Sequence, residues 1–154
     1  MIESMAQSLS LVIIHVVFST KNREPWISPE TTPRLHAYLA EVARDAGCEA
    51  YRVGGVADHV HLALTLPRTV TQSDLVKKLK TASNHWLGEI DRRYTGFSWQ
   101  RGYGIFSIGR SQLGDLVAYI EDQEKHHRRR TFQEEFRELL NRYGVNFDEA
   151  YVWD

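Results

Sequence analysis

The stretch "GGVADHVHLALTLP", residues 54–67, decides how this chain is folded. Its central part has the length and composition of a β-strand, and successive side chains on a strand point to opposite faces. His59 and His61 therefore lie together on one face, which we expect to be accessible. The other face is apolar and must belong to the core: Val60, Leu62, Leu64 and Leu66.

Two histidines on one strand face are a candidate metal site. Their Cβ atoms are expected to lie roughly 6.5–7 Å apart, a spacing from which both rings can reach one cation at about 2.0–2.1 Å. The alternative is a hydrogen-bonded pair with a structural role. Since two ligands do not make a tight site, the metal hypothesis needs a third ligand from elsewhere in the chain.

The remaining elements predict an α+β fold. Strands are expected at 9–18, 48–56 and 97–109, with a turn or bulge at the glycine pair 54–55, and helices at 35–46, 71–89, 111–129 and 131–143. Their order favours a ferredoxin-like or RRM-like antiparallel sheet with helices packed on one face. Such a sheet leaves its other face open for a ligand.

Length and composition indicate one domain over residues 1–154. Of the 154 residues 42% are apolar and 25% charged, ordinary values for a globular protein. No apolar run approaches the ~18 residues of a membrane span, and the lone Cys48 excludes an internal disulfide. We expect a cytoplasmic protein. Thr131 and Glu134 have capping-box spacing, so that residues 131–154 form a C-terminal helical extension.

Net charge is −1, yet the basic residues are clustered. A near-neutral protein can present a basic face to phosphates, and solvated helix faces are the alternative. The candidate DNA-binding residues are Lys77, Lys78, Lys80, Arg92, Arg93, Arg128, Arg129 and Arg130. Trp99 and Tyr103 are candidates for stacking on bases.

The helix predicted at 111–129 supplies the third metal-ligand candidate. At about 100° per residue, Tyr119 and Gln123 lie on one flank of its apolar stripe, and His126 continues that flank. This flank can offer a hydroxyl, a carboxamide oxygen and an imidazole to one small volume. A tyrosine beside an apolar stripe is more often a packing residue, so position alone assigns it no chemistry.

Together these motifs resemble a known family. "HVH" on a strand is an HUH motif (histidine, hydrophobe, histidine), and "YIEDQ" places a tyrosine four residues before a glutamine on a helix. Their combination resembles the single-tyrosine HUH transposases of small insertion sequences, the 200/605 group. The segments "HVVFSTKNREP" and "WQRGYGIFSIG" are similar to strands of that family, and the tail "TFQEEFRELLNRYGVNFDEAYVWD" resembles the C-terminal extension of a chromosomally scattered branch.

The resemblance implies roles for four residues. His59, His61 and Gln123 would bind Mg²⁺ or Mn²⁺, and Tyr119 would attack a phosphodiester of single-stranded DNA that carries a hairpin. The products would be a 5′-phosphotyrosine link and a free 3′-hydroxyl, in a homodimer. A phenol with a pKa near 10 needs such help. The acceptor of its proton stays open, with His126 as one candidate.

Two other functions compete with the transposase hypothesis. The first is a non-catalytic module, either an RRM-like sheet that binds nucleic acid or a domesticated descendant that only recognises hairpins. The second is a zinc hydrolase using His59, His61 and a carboxylate such as Asp58. Asp58 is expected on the opposite strand face, which counts against the hydrolase.

Overall fold

A computed structural model describes residues 7–154, and a four-stranded antiparallel sheet forms its centre. The strand order is β2-β3-β1-β4, and the predicted α+β fold class is confirmed. The strands are β1 (Ile13–Ser19), β2 (Ala50–Val56), β3 (His59–Thr65) and β4 (Gly104–Ile108). The helices are α1 (Thr32–Asp45), α2 (Gln72–Ile90), α3 (Leu113–Glu121), α4 (Gln123–His126) and α5 (Phe132–Arg142).

The first face of the sheet carries the main core, as the alternation along β3 predicts. β1 and β3 pair with Val16 opposite Leu62 and Phe18 opposite Val60, so that their apolar side chains share this face. The helices α1 and α2 cover it with Leu35, Leu39, Leu75 and Leu79, all buried. The side chain of Thr71 accepts a hydrogen bond from the Asp74 amide and caps α2.

The expectation of an open second face is wrong. Leu116 and Ile120 of α3 pack on Ala63, while α5 packs on Val17 and Phe106. The α5 residues in this contact are Phe132, Phe136, Leu139 and Leu140. Because α3 to α5 occupy this face, the two histidines of β3 are fully buried.

The helix predicted over 111–129 is interrupted. Asp122 has φ −93° and ψ 15°, and it separates α3 from the single turn of α4. The amides of His126 and His127 still donate to the carbonyls four residues earlier, those of Asp122 and Gln123. The interruption is therefore local, and Gln123 stays one turn from Tyr119.

Two glycines let the second helical layer approach the sheet. A Cβ on Gly54 would lie 2.6 Å from the carbonyl oxygen of Ile120, and a Cβ on Gly104 would lie 2.6 Å from the Phe136 ring. The predicted bulge is not at the glycine pair, because the register shift of β2 falls between Ala50 and Arg52. Gly54 instead provides close helix approach.

The last residues return to the body of the protein. The carbonyl of Asp154 accepts the Gly102 amide at 2.8 Å, and Trp153 packs near Phe136, whereas Tyr151 is exposed. The fourth strand is shorter than predicted, and Trp99 forms only an isolated bridge with Thr20. Within residues 7–154, no helix has the length and apolarity needed to cross a membrane.

Candidate active site

The residues singled out from the two motifs meet within one chain. β3 presents His59 and His61 on the second face of the sheet, and α3 and α4 lay Tyr119 and Gln123 against them. The Nε2 atom of His59 lies 3.0 Å from Oε1 of Gln123, and the rings of His61 and Tyr119 have centroids 5.7 Å apart. The structure therefore places all four side chains in one volume without a second chain.

A buried carboxylate occupies the middle of this volume. Oε1 of Glu135, on α5, lies 2.9 Å from Nε2 of His61, 3.1 Å from Nε2 of His127 and 3.4 Å from Nε2 of His59. Its other oxygen, Oε2, accepts hydrogen bonds from the Tyr119 hydroxyl and, at 3.2 Å, from the Gln123 amide. Glu135 thus joins the imidazoles to the phenol.

The Nδ1 atom of each of the three imidazoles has its own partner on the side away from Glu135. His59 Nδ1 lies 2.7 Å from Oδ1 of Asp58, and His127 Nδ1 lies 3.0 Å from the carbonyl oxygen of Arg130. His61 Nδ1 lies 2.7 Å from Nε2 of His15, a buried residue of β1. These contacts fix the orientation of the rings and aim every Nε2 at the centre.

The potential metal ligands therefore outnumber the three that the sequence predicts. One ligand atom each from His59, His61, His127 and Glu135 lie within 4.8 Å of one another. Three of these residues are buried and His127 is partly so. Imidazole nitrogen and carboxylate oxygen are both common ligands of divalent metals.

The charges at the site favour an ionised Glu135 and a protonated Tyr119. Burial alone would raise the pKa of Glu135, but its contacts with His127 and His61 outweigh burial and hold that pKa far below its usual range. Burial, followed by the Glu135 carboxylate, raises the pKa of the Tyr119 phenol. Burial lowers the pKa of His61 despite the neighbouring carboxylate.

His126 does not accept a hydrogen bond from the phenol. Its ring lies beside that of Tyr119, with centroids 4.8 Å apart, but its buried Nε2 has no hydrogen-bond partner among residues 7–154. The phenol hydroxyl donates to Glu135 instead, while Nη2 of Arg130 lies 3.2 Å from its oxygen. The next residue, His127, faces Glu135.

Two open cavities flank the site. One of about 600 Å³, here called the arginine cleft, is lined by Asp58, His127 and the three consecutive arginines 128–130. The other, of about 530 Å³ and here called the tyrosine cleft, is lined by His15, Tyr119, Arg142 and Tyr143. His127 lines the first cleft and Tyr119 the second, whereas the fully buried His59, His61 and Glu135 line neither.

The structure separates the predicted DNA-binding residues into groups. Arg128, Arg129 and Arg130 line the arginine cleft, whereas Lys77, Lys78, Arg92 and Arg93 are exposed elsewhere on the surface. Lys80 is engaged with the protein itself: its Nζ donates to the carbonyls of Gln100 and Gly102, at 2.7 Å each.

The two aromatic candidates for base stacking also differ. Trp99 is wrong as an exposed stacking residue, because it is buried against Phe18 and donates to Ser83. Tyr103 is partly exposed, and the Lys80 ammonium lies 5.7 Å from its ring centroid.

Sequence reasoning missed Glu135, His127 and His15. Glu135 carries a recognisable signal, since it falls among the apolar positions of α5 at three residues from Phe132 and one from Phe136. An acidic residue at such a position needs buried partners. His15 lies within an apolar strand, and the sequence does not give the pairing that sets it beside His61.

Known proteins resemble this chain in sequence. A sequence model of the family described as "Transposase IS200 like" matches residues 8–123. The ISDra2 transposase TnpA of Deinococcus radiodurans is 26% identical over 114 residues, which cover 71% of this chain and 81% of that protein. The transposase of insertion sequence IS200 from Salmonella typhimurium is 26% identical over 117 residues, covering 73% and 74% of the two chains.

Two solved structures share the fold. A Deinococcus radiodurans R1 protein described as a transposase superposes with a TM-score of 0.60 at 24% identity, covering 77% of this chain and 98% of that one. A REP-associated tyrosine transposase bound to a REP hairpin gives a TM-score of 0.56 at 20% identity, covering 80% and 74%. At these identities the superpositions support the fold alone.

Proposed function

The chain belongs to the IS200-like transposase family, and from this premise we propose that it cleaves and rejoins single-stranded DNA through a covalent link to Tyr119. The substrate we propose is a single strand that carries a hairpin. The observation that supports this function most is the meeting of His59, His61 and Gln123 with the Tyr119 phenol inside one chain. Neither a packing tyrosine nor a structural histidine pair requires such a meeting.

The proposed reaction is an exchange of one phosphate ester for another. The Tyr119 oxygen forms a bond to phosphorus while the bond between phosphorus and the 3′ oxygen breaks. A 5′-phosphotyrosine and a free 3′-hydroxyl result, and attack by another 3′-hydroxyl reverses the step. Since the ester is conserved in the exchange, the reaction needs no external energy source.

The chain's own groups would orient the nucleophile. Oε2 of Glu135 accepts the hydrogen bond of the phenol and is placed to receive its proton, and Arg130 lies on the other side of the phenol oxygen. The guanidinium can also stabilise the charge of the phosphate. Both groups reach Tyr119 from the segment that follows α4.

The donor groups fit a divalent cation, proposed to be Mg²⁺ or Mn²⁺. His59, His61 and Gln123 would hold it, and the Asp58 contact to His59 Nδ1 is of the kind that orients metal-bound histidines. A bound divalent cation polarises a phosphoryl oxygen and positions the phosphodiester. Two neutral nitrogens and a carboxamide leave its charge available to an anionic substrate.

We propose that DNA follows the arginine cleft. Arg128, Arg129 and Arg130 line it beside His127, and the exposed Lys77, Lys78, Arg92 and Arg93 extend the set of phosphate-binding candidates. Lys80 is left out of this set because its ammonium is held by backbone carbonyls. A homodimer remains part of the proposal, although the four motif side chains meet within one chain.

A covalent adduct is the decisive test. Wild-type protein is incubated with a labelled, hairpin-bearing single strand and Mg²⁺ or Mn²⁺, and the products are separated under denaturing conditions. We expect an adduct that is lost in Tyr119→Phe, because only the attacking oxygen is removed. Tyr143→Phe is the matched control: Tyr143 lines the same cleft and stacks on Phe106, and its adduct should persist.

The same experiment separates the competing functions. DNA binding without an adduct would favour the non-catalytic module. Strand hydrolysis without an adduct would favour a metal hydrolase. An adduct retained in Tyr119→Phe would contradict the assignment of the nucleophile.

A further inference from the structure

We propose that His127 and Glu135 bind the same metal ion as His59 and His61, so that the segment after the family-matched residues supplies two ligands. The inference rests on the metal site of the proposed function and adds to it. Both residues lie beyond residue 123, where the family match ends. They bring an imidazole and a carboxylate to a site for which the motifs supply two imidazoles and a carboxamide.

The rings of His59 and His127 each have a partner for their single N–H proton away from Glu135. A neutral imidazole has one N–H and one lone pair. Nδ1 of His59 faces the Asp58 carboxylate and Nδ1 of His127 faces the Arg130 carbonyl, both of which can only accept. When each ring donates its proton there, both Nε2 atoms turn a lone pair toward Glu135.

Acceptors are crowded at the centre of the site. The Nε2 atoms of His59 and His127, whose lone pairs then face inward, lie 3.4 and 3.1 Å from the same carboxylate oxygen, Oε1 of Glu135. Nε2 of His61 lies 2.9 Å from that oxygen. Lone pairs that face one another across a buried volume repel, and burial removes the water that would separate them. A cation among the four atoms turns this repulsion into coordination.

The Nδ1 contacts of His59 and His127 are those of metal-bound histidines. Metal-bound histidines almost always donate their second nitrogen to a carboxylate, a backbone carbonyl or water. Asp58 serves His59 in this way, and the Arg130 carbonyl serves His127. His126, the last residue of α4, precedes His127; in the described part of the chain its Nε2 has no partner, and it does not join the cluster.

The ligand set also selects the class of ion. Three imidazole nitrogens and one carboxylate oxygen suit first-row transition metals, whereas Mg²⁺ prefers oxygen ligands and water. The DNA-free protein should therefore bind Zn²⁺ more tightly than Mn²⁺, and Mn²⁺ more tightly than Mg²⁺. Of the two ions in the proposed function, Mn²⁺ is favoured.

Calorimetric titration of the full chain, stripped of metal and free of DNA, tests the ligands directly. Zn²⁺, Mn²⁺ and Mg²⁺ are added to wild type, His127→Asn, Glu135→Gln and the matched control His126→Asn. We expect one tightly bound Zn²⁺ per chain in wild type. Each of the two ligand variants should bind Zn²⁺ more weakly by roughly 10- to 100-fold or more, because the loss of a residue that only orients a metal ligand already costs that much. The control should keep wild-type affinity.

Wild-type protein alone provides a second measurement, in case a variant fails to fold. Long-range proton–nitrogen spectra of the histidine rings are recorded before and after Zn²⁺, and the Nε2 signal of His127 should shift strongly while that of His126 does not. Unchanged affinity in both ligand variants, or an unshifted His127 signal, would overturn the inference. In that case the rings face Glu135 as hydrogen-bond donors without a metal.

The outcome is separable from that of the proposed function. A DNA adduct together with unchanged metal affinity in the variants refutes only the added ligands. Loss of metal affinity in the variants without any adduct from wild type refutes only the strand-transfer proposal, because the titration contains no DNA.

Discussion

At the scale of single residues, Glu135 determines the character of the site. A buried carboxylate is costly unless it is paired and hydrogen-bonded. One oxygen of Glu135 accepts from a phenol and a carboxamide, and the other lies among three imidazole nitrogens. One of its oxygens faces the proposed metal ligands and the other faces the proposed nucleophile. A single side chain therefore couples the two halves of the site.

A partly buried histidine away from Glu135, His36 of α1, gives the chain a testable pH dependence. Burial, and then the charges of Arg52 and His59, lower the pKa of His36 on α1 from 6.5 to about 4. Between these values the unfolded chain binds a proton at this position that the folded chain does not. The free energy of unfolding should therefore rise with pH from about 4 to 6.5 and fall as acid is added.

His36→Gln should reduce this slope, because glutamine does not titrate. Urea unfolding of metal-free wild type and variant at both ends of the range measures the difference. Other histidines contribute equally to both proteins, so the comparison isolates position 36. Parallel pH profiles would contradict the lowered pKa of His36.

At the scale of elements, the helices of the second layer carry the chemistry and the sheet holds them in register. Tyr119 belongs to α3, Gln123 and its neighbours to α4, and Glu135 to α5. The helices α3 and α5 approach the sheet closely at Gly54 and Gly104, where an added Cβ would lie 2.6 Å from Ile120 and from Phe136. Because Gly54 of β2 has no side chain, α3 lies close enough to the sheet for the Tyr119 phenol to reach the histidines.

Gly54→Ala should destabilise the protein by about 1–3 kcal/mol, because its Cβ would overlap the Ile120 backbone and force α3 outward. Gly88→Ala is the matched control. Gly88 lies within α2 with nothing near its Cβ position, and alanine there should stabilise by about 0.4–1 kcal/mol.

Chemical denaturation of both variants provides these two free energies. The Gly54 variant should also lose adduct formation, since Tyr119 moves with α3. Equal stabilities of the two variants would show that α3 does not need the close approach.

At the scale of the whole molecule, the sheet is buried on both sides. The main core lies between the sheet and α1–α2, and a second core of Phe106, Phe132, Phe136 and neighbours lies under α5. The carbonyl of Asp154 returns to Gly102 next to β4. The extension over 131–154 is therefore expected to fold as one unit with the rest.

Phe136→Ala should lower the free energy of unfolding by about 3–5 kcal/mol, the cost of emptying a buried aromatic position. We expect circular dichroism and tryptophan fluorescence to show one coincident transition, because the extension folds together with the main core. Three of the four tryptophans, Trp26, Trp86 and Trp99, report from that core. The exposed Tyr151 provides the control, and its change to alanine should matter by less than about 0.5 kcal/mol. A separate early transition in Phe136→Ala would contradict the single unit.

Local sequence patterns predicted most of the fold and grouped four side chains of the candidate site: His59 with His61, and Tyr119 with Gln123. Alternation along β3 correctly separated Val60 and Leu62 from His59 and His61, since strand parity depends only on neighbouring residues. Helical spacing brought Tyr119 and Gln123 together because one turn separates them. The capping box of Thr131 and Glu134 is present at the start of α5, again a contact within four residues.

Only the tertiary structure decided what surrounds the histidines. His61 and Glu135 are 74 positions apart, and His15 and His61 are 46 apart, so no local period connects them. The closed second face, the break at Asp122 and the insertion of Glu135 all depend on how three helices share one sheet. Spacing along the chain therefore determined which side chains could act together, whereas packing between distant segments decided that a carboxylate and a third imidazole lie among them.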